Sequence, residues 1–289
     1  MKITLKSPAK INWFLYVTGK RDDGYHNLFS GYHNLFSLMQ TVSLHDTLHF
    51  EPSDNGGINI LSDTAIPVKE NLIFRAAMAL KSHTGYHGGV RVTLHKEIPM
   101  EAGLGGGSSN AATTLLGLNK LWNLRLSEKE LLELASDIGS DVPFFIFQEP
   151  ALVEGKGEII TRMKFNRPME VFILIVKPPF GVSTSRAYKE IKNYSKPDNS
   201  VVEHIKDVFF NKRYDLLPEI MVNDLERPVF RLYPELKEIK KTLLNYGAIG
   251  ALLSGSGSSL FGVFKESDMA EKASELFKDG YWTRIVVPT

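Results

Sequence analysis

The chain has 289 residues, of which 43% are hydrophobic and 23% charged, the balance of a globular protein long enough for two domains and able to bury a large core. A formal net charge of +1 leaves no global basic field to recruit nucleic acid or an anionic membrane, so any anionic ligand must be gripped locally. Cysteine is absent, which excludes disulfides, thiolate metal sites and a cysteine nucleophile and suits a reducing cytoplasm.

Lysines at 2, 6 and 10 interrupt the apolar residues of the N-terminus, so it reads as neither a signal peptide nor a membrane span. ITLKSPAKINWFLYV and LMQTVSLHDTLHF read as strands on either side of the turn KRDDG. Between them, over residues 24–37, the heptapeptide GYHNLFS is written twice with nothing between the copies. A period of seven is far too short for a solenoid unit. NLIFRAAMALKSHTG (71–85) has helical spacing and ends in glycine, and GGVRVTLHKEIP alternates Val90, Val92 and Leu94 as a half-buried strand. The glycine-rich MEAGLGGGSSN follows, then AATTLLGLNKLW with a helical apolar period. SEKELLELASDIG carries a capping box at Ser127 and Glu130 and stops at Gly139, and SDVPFFIF leads into a short apolar strand.

Over 154–168 the composition turns glycine- and charge-rich, which places a boundary between a domain at 1–160 and another at 161–289. The longest apolar stretch, VFILIVKPPF at 171–180, fits a buried strand and is too short to cross a bilayer. A helix near STSRAYKEI, a charged stretch and the helix PELKEIKKTLLNYG follow, the last with Pro234 in its first turn and Gly247 at its stop. AIGALLSG, SGSSLFGVF, the helix SDMAEKASELFKDG and a final strand YWTRIVVP complete the chain. Strands and helices alternate without a strict βαβα rhythm, so the fold class is α+β in two domains.

Gly103, Gly105, Gly106 and Gly107 lie between a strand and a helix, followed by Ser108 and Ser109. Glycines let backbone approach a ligand closely, and the helix start adds unpaired N–H groups and the positive end of its dipole, so the implied chemistry is phosphate binding. The loop lacks the lysine of a Walker A sequence and, with Ser108 where the last glycine would fall, the dinucleotide fingerprint as well. Read alone, it can also be a flexible connection. A second cluster, Ser254 to Ser259, reads as a turn by itself, and with the first suggests two backbone surfaces closing on one polyanion.

With these motifs in place, the chain resembles the GHMP kinase superfamily. The resemblance rests on SPAKIN (7–12), GYH (24–26 and 31–33), PMEAGLGGGSSNAA (99–112), GSDVPFF (139–145), NDLE (223–226) and SGSGSSLF (254–261), which span nearly the whole chain. It implies an S5-like N-terminal domain and a ferredoxin-like C-terminal domain with the active site in the cleft between them. The implied activity is ATP-dependent phosphorylation of a hydroxyl on a small molecule, here a cytidine diphosphate-linked polyol, in isoprenoid precursor synthesis. ATP is then the co-substrate and Mg2+ is expected, although no carboxylate cluster in the sequence identifies its ligands. No nucleic-acid or membrane partner is expected, and the protein is a monomer or a homodimer.

The same resemblance distributes roles among residues. Asp141 matches the catalytic aspartate that takes the acceptor proton, although an aspartate after Gly-Ser is more often a solvated cap. Lys10 matches the catalytic lysine, where a lysine in an alternating strand is otherwise a solvent-facing charge. Asn12, two residues on, shares its face and is a candidate hydrogen-bond partner of the substrate. Pro99, Met100, Glu101, Ala102, Gly103, Leu104, Gly105, Gly106, Gly107, Ser108 and Ser109 wrap the ATP phosphates, and Asn71 and Leu72 line the adenine pocket. Tyr188 and Lys189 match an aromatic-lysine pair whose ring stacks on cytosine, against a plain reading of Tyr188 as helix-face packing.

The repeat supplies two candidates for the tyrosine and histidine that face the base, Tyr25 with His26 and Tyr32 with His33. The first copy keeps the spacing back to Lys10, the second the spacing forward to LMQTVSLHD. Seven is odd, so seven extra residues inside a paired strand would turn every later side chain to the wrong face unless bulged out. Lengthening the preceding turn costs little, on the order of 1 kcal/mol or less per doubling, which favours Tyr32 and His33. His45 and His49 invite a zinc reading by their spacing, but in a strand that spacing leaves side chains about 13 Å apart. Two other functions remain open: a kinase of the same superfamily for mevalonate, homoserine or a sugar, and a nucleotide- or RNA-binding module without catalysis should the repeat block the site. The near-neutral charge argues against RNA.

Overall fold

The computed structural model describes residues 2–20, 33–63, 66–67, 70–165, 169–197 and 199–289. In chain order the elements are β1 (Ile3–Lys20), β2 (His33–Ser53), β3 (Ile58–Ser62), α1 (Leu72–Thr84), β4 (Gly89–His95), α2 (Gly106–Leu121), α3 (Glu128–Ile138), α4 (Phe144–Phe147), β5 (Ala151–Gly155) and β6 (Ile159–Arg162). There follow β7 (Phe172–Lys177), α5 (Thr184–Lys189), α6 (Asn199–Phe209), a single 3-10 turn, α7 (Leu217–Ile220), α8 (Glu226–Leu232), α9 (Pro234–Asn245), β8 (Gly250–Leu253), β9 (Leu260–Phe264), α10 (Ser267–Glu275) and β10 (Trp282–Val286). Among the described residues no helix is long and apolar enough to cross a membrane.

The chain forms two compact units, each assembled from separate segments. One comprises Met1–Ala9, Leu44–Met100 and Gly105–Gln148; the other comprises Lys10–Ser43, Glu101–Leu104 and Glu149–Thr289. In the first unit the later half of β2 pairs antiparallel with β4, from Thr47 opposite His95 to Ser53 opposite Gly89. β3 runs parallel to β4, so a crossover is required, and α1 supplies it. Asn71 caps α1 by accepting a hydrogen bond from Ile73 N at 3.0 Å, and Gly85 closes it at φ +68 with its N–H on Lys81 O. The inward stripe Ile73, Ala76, Ala77 and Leu80 is buried, as its spacing requires. In α3 the expected capping box is present, with Ser127 accepting from Glu130 N and Glu130 accepting from Ser127 N.

The segment after α3 leads into the expected strand, β5, by way of a further helical element. Phe144–Phe147 is a helical turn, begun by Pro143 at φ −58, ψ −38 and ended by Gln148 in the left-handed region. Phe144, Phe145 and Ile146 are all buried, and an apolar run buried on every side carries no period by which to tell a strand from a helix.

In the second unit the early half of β2 pairs antiparallel with β5, Leu35 opposite Gly155 to Met39 opposite Ala151, and β5 turns back on β6. A separate four-stranded sheet has the order β10-β7-β9-β8 with every pair antiparallel. Numbered within this sheet, that is the 4-1-3-2 arrangement of the ferredoxin-like fold expected from the resemblance. Leu174 and Val176 of β7, Leu236 and Leu243 of α9, Leu253, Phe264 and Ala270 share one buried cluster with Leu15 and Val17 of β1.

Candidate active site

Lys10 is only 3% exposed, and a buried ammonium must be hydrogen-bonded to persist. Its Nζ donates to Asn12 Oδ1 at 2.7 Å and to Gly103 O at 3.0 Å. Asn12, two residues along the strand on the same face, donates through Nδ2 to Ser37 Oγ at 2.8 Å, and Ser37 donates to Phe14 O at 2.6 Å. Both ends of the Asn12 amide are thus engaged, and the side chain is fully buried. The chain of bonds fixes the Lys10 ammonium against the glycine loop.

Gly103 is at φ +73, and a Cβ there would stand 1.9 Å from Ser254 O. Only hydrogen fits, so the two glycine-rich segments meet backbone to backbone. Ser254 Oγ donates to Gly103 O at 3.1 Å, Ser258 N to Glu101 O at 3.1 Å and Ser259 N to Ala102 O at 3.2 Å. A Cβ on Gly255 would lie 3.2 Å from Lys10 Nζ, so the second segment borders the ammonium as well. Glu101 takes φ +52, and its side chain occupies the space left by the missing Cβ of Gly181. Burial pulls the Lys177 ammonium below the usual lysine range, and the Glu101 carboxylate opposes that shift.

Asn223, in the NDLE sequence, anchors this arrangement. Its Nδ2 donates to Leu253 O at 2.8 Å and Gly255 O at 2.7 Å, and its Oδ1 accepts from Leu225 N at 2.9 Å. Asp224 accepts Val17 N at 2.7 Å and Ser195 Oγ at 2.9 Å, and Glu226 accepts Leu253 N at 3.0 Å and Lys240 at 2.7 Å. In the sequence, NDLE stands out only as a matching motif. Its pairing with loops some 30 residues away leaves no local signal.

In the other unit, the N-terminus of α2 begins at Gly105 in the left-handed region at φ +71, without a side-chain cap and without an acidic residue in its first turn. The first intrahelical bond is Ser109 N to Gly105 O, so the N–H groups of Gly106, Gly107 and Ser108 precede the helical ladder. That is the electrostatic form of an anion site. Ser7 Oγ lies 2.8 Å from Ser109 Oγ and 2.7 Å from Asn110 Oδ1, which ties SPAKIN to the start of α2. Lys96 was not singled out from sequence. Its Nζ is 2.6 Å from the fully buried Asp46 and would lie 3.1 Å from a Cβ on Gly106. Asp46 also accepts Glu97 N and Ile98 N, each at 2.8 Å, so the cation beside the helix start is firmly held.

Asp141 is half-buried in the turn between Gly139 and Pro143, where Val142 N donates to Gly139 O. Asn71 is buried and spends its side-chain oxygen on the α1 cap, and Leu72 is the first residue of that helix. Pro99 is half-buried and Met100 is exposed at the loop's approach. Among the described residues no group of three or more His, Cys, Asp or Glu side chains gathers. The glycine loops instead offer serine hydroxyls and backbone, a donor set that suits Mg2+ bound chiefly through nucleotide phosphates and water. His45 and His49 lie in β2, and the His49 ring hydrogen-bonds Thr4 Oγ1 at 2.7 Å and packs edge-on against His95.

His33 opens β2, and its ring centroid is 5.1 Å from that of Tyr188, at 30° between planes. Tyr188 also packs on the buried cluster of its unit, so core packing and a ring contact coexist in one side chain, next to Lys189 at the end of α5. Tyr25, His26 and Tyr32 lie outside the described residues.

Two family models match the chain: GHMP kinases N terminal domain over residues 71–149 and GHMP kinases C terminal over residues 205–281. Fold and glycine loops therefore define an ATP-dependent small-molecule kinase. A 4-diphosphocytidyl-2-C-methyl-D-erythritol kinase of Thermodesulfovibrio yellowstonii is 43% identical over 98% of this chain and 97% of its own. The enzyme of that name from Pelotomaculum thermopropionicum is 39% identical over 96% and 94%. A crystal structure of 4-(cytidine 5'-diphospho)-2C-methyl-D-erythritol kinase superposes with a TM-score of 0.81 at 34% identity, covering 99% of both chains. A homoserine kinase from Cytophaga hutchinsonii, at 19% identity and a TM-score of 0.71, shares the fold. The chain belongs to the GHMP kinases and, within them, to the 4-diphosphocytidyl-2-C-methyl-D-erythritol kinase family.

Proposed function

We propose that the chain transfers the γ-phosphoryl group of ATP to the 2-hydroxyl of 4-diphosphocytidyl-2-C-methyl-D-erythritol, in the non-mevalonate route to isoprenoid precursors. The observation that carries this reading is the Lys10 ammonium, buried and aimed by Asn12 at a glycine loop that a second glycine loop closes from the other side. The names of the relatives point to the same acceptor.

Phosphoryl transfer needs alignment and charge stabilisation more than covalent chemistry from the protein. In this reading the acceptor oxygen bonds to the γ-phosphorus as the bond from that phosphorus to the β,γ-bridging oxygen breaks. The hydroxyl proton passes to the Asp141 carboxylate, and ADP leaves with the electron pair. Lys10 faces the charge that spreads over the transferring group, and Asn12 and Ser37 hold it in place. The backbone from Pro99 to Ser109 and the segment Ser254 to Ser259 receive the phosphates, while Asn71 and Leu72 border the adenine. Mg2+ on the nucleotide supplies neutralisation of the phosphate oxygens. His33 reads the edge of the cytosine, Tyr188 stacks on its face and Lys189 adds a charge for the diphosphate. The unbroken pairing of β2 from Leu35 onward supports Tyr32 and His33 over Tyr25 and His26 as the pair at the base.

A coupled assay of ADP release tests the proposal. Turnover with the cytidylated erythritol and none with mevalonate, homoserine or galactose is expected. Turnover with one of those alcohols and none with the cytidylated acceptor overturns it.

A further inference from the structure

A second ring approaches His33 and has no part in the reaction scheme. Tyr194 lies in the loop after α5, its centroid 6.2 Å from that of His33 at 50° between planes, and 41% of the residue is exposed. The imidazole therefore has two tyrosines against it, Tyr188 from the helix and Tyr194 from the loop. The loop is held in place beside them. Ser195 N donates to Val17 O and Ser195 Oγ to Asp224 Oδ1, both at 2.9 Å, while Asp224 Oδ2 accepts Val17 N. Thr18, the next residue of β1, donates to Asn34 O at 3.2 Å, so both chain neighbourhoods that carry the rings are fastened to one strand.

We propose that Tyr194 is a positioning residue for recognition of the cytosine edge: together with Tyr188 it holds the His33 imidazole in the orientation that meets the base. The torsion that turns an imidazole about its last side-chain bond is broad, and without packed neighbours the ring presents its nitrogens over a wide arc. Two ring contacts narrow that arc before ligand arrives, so less ordering remains to be done on binding. Cytosine and uracil differ at two adjacent edge positions: an amino donor against a carbonyl acceptor at C4, and an acceptor nitrogen against an N–H donor at N3. An imidazole held in one orientation discriminates between them, and a loosely held one discriminates less. The inference rests on the cytidine reading above.

Calorimetric titration of the full chain with CDP and with UDP tests it. Tyr194→Ala is expected to weaken CDP binding roughly three- to tenfold, the range of an aromatic pair, and to lower the CDP-to-UDP preference. KM for ATP and kcat at saturating acceptor stay as in the wild type. Tyr194→Phe restores CDP binding, since the ring acts and the hydroxyl does not. In a His33→Ala background, Tyr194→Ala has no further effect, which a general structural role would not produce. An alanine variant that binds CDP as tightly and selectively as the wild type, or additive losses in the double variant, overturns the inference alone. A wild-type chain that binds neither nucleotide overturns the cytidine reading and the inference with it.

Discussion

A methyl group on Gly103 would stand 1.9 Å from Ser254 O, on a backbone already at φ +73. No rotamer relieves this, because the clash involves backbone on both sides. Gly103→Ala is expected to destabilise the protein by about 3 kcal/mol, combining left-handed strain with separation of the two loops. Urea unfolding reads the first effect and KM for ATP the second, and a variant with wild-type values of both contradicts the packing argument. At Asp141 the expectation differs in kind. Asp141→Asn keeps shape and removes the proposed proton acceptor, so ATP affinity is expected to stay and kcat to fall about a hundredfold to ten-thousandfold. Near-normal turnover in that variant removes Asp141 from its proposed role.

The segments that hold the site act as connected elements. Asn223 satisfies the carbonyls of Leu253 and Gly255 at once, at the point where β8 enters the second glycine loop. Asn223→Ala leaves two buried acceptors without donors, with an expected loss of about 2 to 4 kcal/mol and a raised KM for ATP. Equal stability in chemical denaturation would show that water or a neighbour replaces the amide. One turn along, Glu226 joins α8 to α9 through Lys240 and to β8 through Leu253 N. Burial pushes its carboxyl above the ordinary glutamate value of 4.5, against the pull of Lys240 and the backbone N–H. A raised folded-state value favours the protonated form in the fold. The stability owed to this group is therefore full below 4.5 and declines as pH rises through the raised value. Compared with Glu226→Gln across that range, the wild type should lose ground steadily as pH increases; a constant difference would mean that the carboxyl does not titrate abnormally.

At the scale of the whole molecule, the two compact units do not follow the linear order of the chain. The boundary between them falls inside β1, inside β2 and inside the first glycine loop. Lys10 and Gly103 belong to one unit, Asp141 and the start of α2 to the other. The second copy of the heptapeptide ends inside β2, at Ser37, and the pairing of β2 with β5 from Leu35 and with β4 from Thr47 shows no interruption. Because the copies are identical, removing residues 24–30 or 31–37 yields the same chain. That chain should keep the register of β2 and an unchanged kcat, with KM for the cytidylated acceptor altered by no more than about tenfold. Complete loss of turnover on deletion would mean that both copies are needed.

Much was legible in the amino-acid order alone, wherever the physics is local. The capping box of α3, the glycine end of α1, Pro234 in the first turn of α9 and the alternation of β4 were each read from neighbours within one or two turns of chain. The glycine loops announced a close backbone approach, which Gly103 makes against Ser254 O, because no other residue permits it. What only the tertiary structure decided involves partners far apart in sequence: Asn223 with Gly255, Lys96 with Asp46, Tyr194 against His33. It also decided that Phe144–Phe147 is helical, since burial on all sides erases periodicity. A sequence specifies through spacing the groups that must turn inward. Which of them meet depends on how the whole chain packs, because hydrogen bonds and ring contacts act at a few ångströms regardless of separation along the chain.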